Sequence, residues 1–112
     1  MSAETPVQIQ LEAYNAHDLQ RFVAVYGDDI RVFRLPATEP ILAGKAAFTD
    51  HYAKHRFHLP KLRAEVVHRI VLGNKVIDHE RVFGVREQPD EVVAVYEVVD
   101  GLIRTVWFFS AE

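Results

Sequence analysis

Lys75-Val76-Ile77-Asp78-His79-Glu80-Arg81-Val82-Phe83-Gly84-Val85 reads as one long β-strand with four ionisable residues in a row at its centre. Side chains alternate along a strand, so Asp78 and Glu80 share one face while His79 and Arg81 share the other. A strand in the middle of a small domain is normally apolar where it meets the core. A charged centre marks a strand that lines a pocket or a subunit contact.

The segment before it has the same period. From Lys61, Leu62, Ala64, Val66, His68, Ile70 and Leu72 alternate with Arg63, Glu65, Val67, Arg69 and Val71. Gly73-Asn74 is a hairpin turn between the two strands, because both residues accept positive φ. After the central strand, Arg86 to Asp90, with Pro89, forms a longer turn into a strand over Glu91–Val99. Asp100-Gly101 is the strongest turn signal and leads into Leu102–Phe109. Four antiparallel strands in a meander follow. Strands of roughly eleven residues reach about 36 Å, longer than so small a domain is wide, so the sheet must twist and curl.

Upstream the period is that of a helix. Thr5-Pro6-Val7-Gln8 has the form of a helix start, with Thr5 as cap and Pro6 in the first turn. Val7, Leu11 and Tyr14 make one apolar stripe, broken at Asn15-Ala16-His17. Asp18 caps a second helix in which Leu19, Phe22, Val23 and Tyr26 face the core, and Gly27 stops it. A short strand, Ile30 to Leu35, ends at Pro36, with Ile30, Val32 and Arg34 on one face. Lys45 to Arg56 is a third helix with Phe48, His51, Tyr52 and His55 on one side.

Composition narrows the partners. The chain has 112 residues, a hydrophobic fraction of 49% and a formal charge of −3, enough for one domain with its own core. No basic block suggests nucleic acid or an anionic membrane, and no apolar run is long enough to span a bilayer. No secretory signal is visible at the N-terminus. The absence of cysteine excludes disulfides, thiol catalysis and cysteine-ligated metals, and the cytoplasm is the expected compartment. The last strands are apolar on both faces: Ile103, Thr105, Trp107 and Phe109 against Leu102, Val106 and Phe108. Since the helices cover one face only, a second copy is expected on the other, giving a homodimer through the outer sheet face.

The element order, with Tyr14-Asn15-Ala16-His17-Asp18-Leu19, Tyr26-Gly27-Asp28-Asp29, Gly44-Lys45 and Asp100-Gly101-Leu102-Ile103, resembles the nuclear-transport-factor-2-like superfamily. The nearer match is to its SnoaL-like and steroid Δ-isomerase-like branches, and it covers nearly the whole chain. The resemblance implies an α+β fold, a cystatin-like cone. In it three helices pack in the concave face of a strongly curved, mainly antiparallel sheet, over a small-molecule cavity and usually in a dimer. It does not fix function, because the superfamily mixes several chemistries with non-catalytic binders. Ketosteroid isomerases use an aspartate base and an oxyanion hole of tyrosine and protonated aspartic acid. Here those positions fall on Arg34, Gln10 and Ala94 or Val95, and none matches. The arginine–aspartate pair of the epoxide-hydrolase branch would fall on Arg81 and Phe83, which also fails. The cavity acid of SnoaL cyclases corresponds loosely to Asp78 or Glu80.

The residues themselves point the same way. If Asp78 and Glu80 face inward, repulsion and desolvation raise at least one pKa, which suits general acid–base work. Otherwise solvent or one of Arg63, Arg69 and Arg81 neutralises them. His68 stands alone on an apolar face, either as a hydrogen-bonded core residue or as a cavity partner for a carboxylate. Arg34 shares a face with Ile30 and Val32, which the resemblance turns toward the interior; an arginine buried there would need a carboxylate or an anionic ligand. Asp78 or Glu80 supplies the first; a substrate carboxylate or enolate supplies the second. His51 and His55 lie one turn apart, but zinc needs a third protein ligand and the zinc-protease glutamate is missing, so no metal is expected. Tyr14, Tyr52 and Tyr96 carry an aromatic body and a polar end for packing or ligand contact. Glu97 is expected to pair at the dimer surface.

Residues 1–112 are thus expected to form one SnoaL-like domain with a small hydrophobic pocket. Asp78, Glu80 and Arg34 are the candidate catalytic residues, and His68, Tyr52, Tyr14, Tyr96 and His55 the candidate ligand contacts. Neither cofactor nor metal is expected. The activity implied is acid–base isomerisation, cyclisation or elimination on a small organic molecule. The alternative is a non-catalytic binding or dimerisation module.

Overall fold

The computed structural model describes residues 2–111. Helix α1 spans Glu4–Asn15 and α2 spans Leu19–Ala24; strand β1, Tyr26–Arg34, is followed by the short β2, Leu42–Ala43. Helix α3, Lys45–His55, precedes the meander of β3 (Arg63–Leu72), β4 (Lys75–Phe83), β5 (Asp90–Val99) and β6 (Leu102–Ser110). The six strands form one sheet in the order β2-β1-β6-β5-β4-β3. β1 runs parallel to β6, and all other neighbours are antiparallel. The three helices pack against one face, with α1 on β3 and β6 and α3 on β1 and β2, giving the α+β architecture expected from the sequence.

Several boundaries differ from expectation for local reasons. The Ser2 hydroxyl, not Thr5, accepts the Glu4 amide at 3.2 Å, so α1 begins earlier. Asp18 does cap α2, accepting from the Arg21 amide at 3.1 Å. That helix ends at Ala24, and Tyr26 and Gly27 belong to β1. The helical spacing of Tyr26 from Phe22 survives as a contact between their rings, 5.1 Å apart. β4 ends at Phe83 rather than Val85. Gly84 turns there with φ of 87°, and a Cβ on it would lie 2.3 Å from the Lys61 backbone, so no other residue fits. Asp100 and Gly101 both take positive φ, the requirement of the tight hairpin turn they signal.

The phrase Asn15-Ala16-His17 has a structural purpose. The Asn15 side chain donates to the Ala64 carbonyl at 3.0 Å and accepts from the Ala64 amide at 2.7 Å, as a neighbouring strand would. His17, at φ of 57°, meets the Leu62 carbonyl at 2.7 Å. Together they fasten the end of α1 to the start of β3.

Two β-bulges decide which side chains face the helices. In β3, Val66 pairs with Glu80 but His68 pairs with His79, so Val67 is an extra residue and the parity of β3 reverses beyond it. In β6, Glu97 pairs with Thr105 and Val98 with Ile103, which makes Arg104 extra. Ile103 therefore turns inward to join Val106 in the core, correcting the expected grouping of Ile103 with Trp107. On the helix face, the core runs through Val7, Ala13, Phe22, Ile30, Val32, Phe48, Val76 and Val106.

On the opposite face, Phe33, Trp107, Val95, Ile77 and Ile70 fall in register across five strands. This row is half-buried to exposed. Glu97 lies beside it and pairs within the chain, with Lys75 at 3.5 Å and Thr105 at 2.9 Å.

Candidate functional site

Between the helices and the inner sheet face lies a cavity of about 330 Å³. Its inner wall is aromatic. The Phe22 ring from α2 lies 4.9–5.8 Å from Tyr14, Tyr26, Phe48, Tyr52 and Phe57, so one residue gathers rings from both other helices, β1 and the loop after α3. The remaining wall comes from the inward residues of β4, β5 and β6, including Glu80, Tyr96 and Phe108.

The central strand delivers its two carboxylates to this side, but to different fates. Asp78 is fully buried and is held by Arg69 in a two-pronged pair, Nε to Oδ1 at 2.7 Å and Nη2 to Oδ2 at 3.0 Å. Arg69 continues to Glu4 at 3.2 Å and Gln8 at 2.8 Å on α1. The Val67 bulge makes this possible, since without it Arg69 would point outward. Arg69 is held even more firmly protonated than usual, chiefly by its hydrogen bond to Asp78.

Glu80 has no such cation. Its Oε2 accepts from the Tyr96 hydroxyl at 3.2 Å. Tyr96 in turn accepts from Gln10 Nε2 at 3.3 Å, and Gln10 Oε1 accepts from Tyr26 at 3.1 Å. This buried chain donates throughout toward Glu80. Oε1 of Glu80 has no protein hydrogen bond among the described residues and borders the cavity. Burial first, and the neighbouring Asp78 charge second, push the Glu80 carboxyl up to about 7; the Tyr96 hydrogen bond and Arg69 oppose this only partly. The tyrosines stay protonated: burial raises Tyr52 to about 12 and raises Tyr14, Tyr26 and Tyr96 as well. The cavity thus pairs one carboxyl that exchanges its proton near neutrality with neutral hydroxyl donors.

The other expected residues divide. Tyr14, Tyr52 and Tyr96 line the cavity, as does Arg34. Arg34, however, is exposed at the mouth rather than buried, and it meets neither Asp78 nor Glu80; Arg69 takes the counter-charge role foreseen for it. His68 does not reach the cavity. The bulge turns it to the outer face, where its ring lies 6.2 Å from that of His79. His55 is exposed and off the cavity wall, 5.0 Å from the His51 ring. His51 lines the cavity instead, and burial together with the charges of Arg56 and His55 lowers its pKa. No cluster among the described residues could hold a metal ion. Gln10, Tyr26 and Arg56 are the cavity residues that pattern alone assigned elsewhere or passed over. An amide on the same helix face as Val7 and Tyr14 was the available signal for Gln10.

Fold and cavity together define an α+β domain in which three helices and a six-stranded sheet enclose a cavity with one ionisable wall. The SnoaL-like domain model matches residues 7–106, and the chain belongs to that family. An uncharacterised cystatin-fold protein from Novosphingobium aromaticivorans superposes with a TM-score of 0.86 at 24% identity, over 96% of this chain and 97% of that one. A provisionally named ketosteroid isomerase from Kribbella flavida gives 0.83 at 19% identity, over 98% and 78%. A computationally designed 17-OHP binder gives 0.81 at 15% identity, over 96% and 91%. No curated protein matches the sequence.

Proposed function

We infer that this domain binds a small organic molecule in its aromatic cavity and moves a proton on it through Glu80, without a cofactor. One observation carries the reading: Glu80 is buried, lacks a cation, and presents a free carboxylate oxygen to the cavity. A carboxylate accepting a proton from carbon and returning it elsewhere is the core of isomerisation, cyclisation and elimination at enolisable positions. Tyr96 orients Glu80, and Tyr14 and Tyr52 offer hydroxyls to the oxygen that gains charge. Asp78 acts at a distance, by its charge on Glu80, rather than on the ligand. With Arg34, Gln10 and Ala94 or Val95 at the positions the isomerases use, steroid isomerisation by that mechanism is not the reaction proposed.

The test is hydrogen exchange. Small ketones and β-dicarbonyl compounds incubated with the protein in D₂O are expected to lose C–H signal about 10²–10⁴ times faster than background. Glu80→Gln should return the rate to background. Exchange at background with the wild-type protein would leave the second reading, a binder without chemistry, which the designed binder on the same fold supports. Equal exchange above background in both proteins would remove Glu80 as the proton carrier.

Two further features belong to this reading. The in-register apolar row on the outer sheet face supports a homodimer through that face. The lack of cysteine suits the cytoplasm, and no helix among the described residues is long and apolar enough to cross a membrane.

A further inference from the structure

The cavity mouth carries positive charge that no acid among the described residues neutralises. Arg34, at the end of β1, and Arg56, at the end of α3, both line it. Among the described residues neither forms an ion pair; Arg56 donates to the His55 carbonyl at 2.8 Å and also bears on the neutral Tyr14 hydroxyl, whose pKa it lowers against the effect of burial. The two acids at the rim are already engaged, Asp90 by Arg86 at 3.5 Å and Glu91 by His79. Both free arginines act on the same ring, since each tends to lower the Tyr52 pKa against the effect of burial.

The sheet register places this charge opposite Glu80. Arg34 pairs with Phe108, Phe108 with Ala94, and Ala94 with Asp78. Glu80 lies one inward position further along β4, paired with Val92. Arg34 and Glu80 are thus three strand spacings apart and two residues out of register, about 16 Å between their backbones. Phe108 and the small Ala94 lie between them, on a wall without charge. A ligand filling this space meets a cationic end, an apolar middle and a proton-exchanging carboxyl. At about 330 Å³ the cavity is near the lower limit of ligand pockets, so one or two rings fill it.

We propose that the ligand is a compact aromatic or alicyclic carboxylic acid, its carboxylate held at the mouth by Arg34 and Arg56 and its ring body lying over Phe108 and Ala94 toward Glu80. This rests on the cavity being the ligand site, as proposed above, but not on any turnover there. Guanidinium groups recognise carboxylates through paired N–H donors, whereas a neutral ligand would leave both cations unused.

Calorimetric titration with 2-naphthoate and the isosteric neutral 2-naphthamide separates the possibilities. The acid is expected to bind about ten- to a hundredfold more tightly than the amide. Arg34→Gln combined with Arg56→Gln should abolish that preference while leaving naphthamide affinity unchanged, which also shows that the variant is folded. Glu80→Gln should keep the preference. Equal binding of acid and amide, or a preference that survives the double arginine variant, overturns the anion assignment and leaves the acid–base role of Glu80 standing. Binding of neither compound overturns the cavity as the ligand site, and this proposal with it.

Discussion

The Tyr96 hydroxyl donates to Glu80 Oε2 at 3.2 Å, and no arginine or lysine among the described residues pairs with that carboxylate. Two positions earlier on the same strand face, Asp78 has Arg69 at 2.7 Å. The same strand therefore holds one acid that is neutralised and one that is not. A buried acid without a counter-charge is unfavourable for folding, and such residues concentrate where chemistry needs them.

That cost is measurable. The Glu80 carboxyl is raised from 4.5 to about 7, so the folded state holds its proton where the unfolded chain has released it. Stability contributed by Glu80 is fully present below pH 4.5 and lost as pH rises through 7. At 1.36 kcal/mol for each pH unit, the loss is on the order of 3 kcal/mol. Glu80→Gln should flatten the decline between pH 5 and 7 and be the more stable protein at pH 8. Urea denaturation across that range checks this, and an unchanged slope in the variant would remove Glu80 as its source.

Arg69 behaves oppositely. Arg69→Met strands the fully buried Asp78 carboxylate and should destabilise the fold by about 3–5 kcal/mol. Adding Asp78→Leu should recover most of that, because replacing a buried pair with apolar groups is often neutral. Thermal unfolding of the single and double variants gives both numbers. A double variant no better than the single would mean that Arg69 acts chiefly through Glu4 and Gln8.

Much of the fold was legible because its signals are local. The change of period at Lys61, the Asp100-Gly101 turn and the Asp18 cap act within a few residues, and strand alternation puts Asp78 and Glu80 on one face, though it does not say which face is inward. The two bulges were not legible. Val67 and Arg104 break parity without any distinctive residue, so alternation alone puts His68 on the inner face and groups Ile103 with Trp107. The pairing of Arg69 with Asp78 depends on the same bulge. β2 is too short to show a period. The burial of Arg34 failed for a different reason: the inner face of β1 runs out of the core before its last residue.

The outer sheet face yields a test of assembly. Phe33, Trp107, Val95, Ile77 and Ile70 form one row across it, and a charge at the centre of that row should prevent face-to-face packing. Wild-type protein is expected to sediment as a dimer and Val95→Arg as a folded monomer. A monomeric wild type would leave the row as exposed surface.

The titration of Glu80 itself is the most direct measurement. Carboxyl ¹³C resonances of glutamate-labelled protein, assigned through Glu80→Gln, should show Glu80 changing protonation at about pH 7. The midpoint should fall in Asp78→Asn, where the second cause of the shift is removed, and rise in Tyr96→Phe, where the opposing hydrogen bond is lost. A midpoint near 4.5 in the folded wild-type protein would mean that Glu80 is an ordinary carboxylate, and the proposed proton transfer would lose its basis.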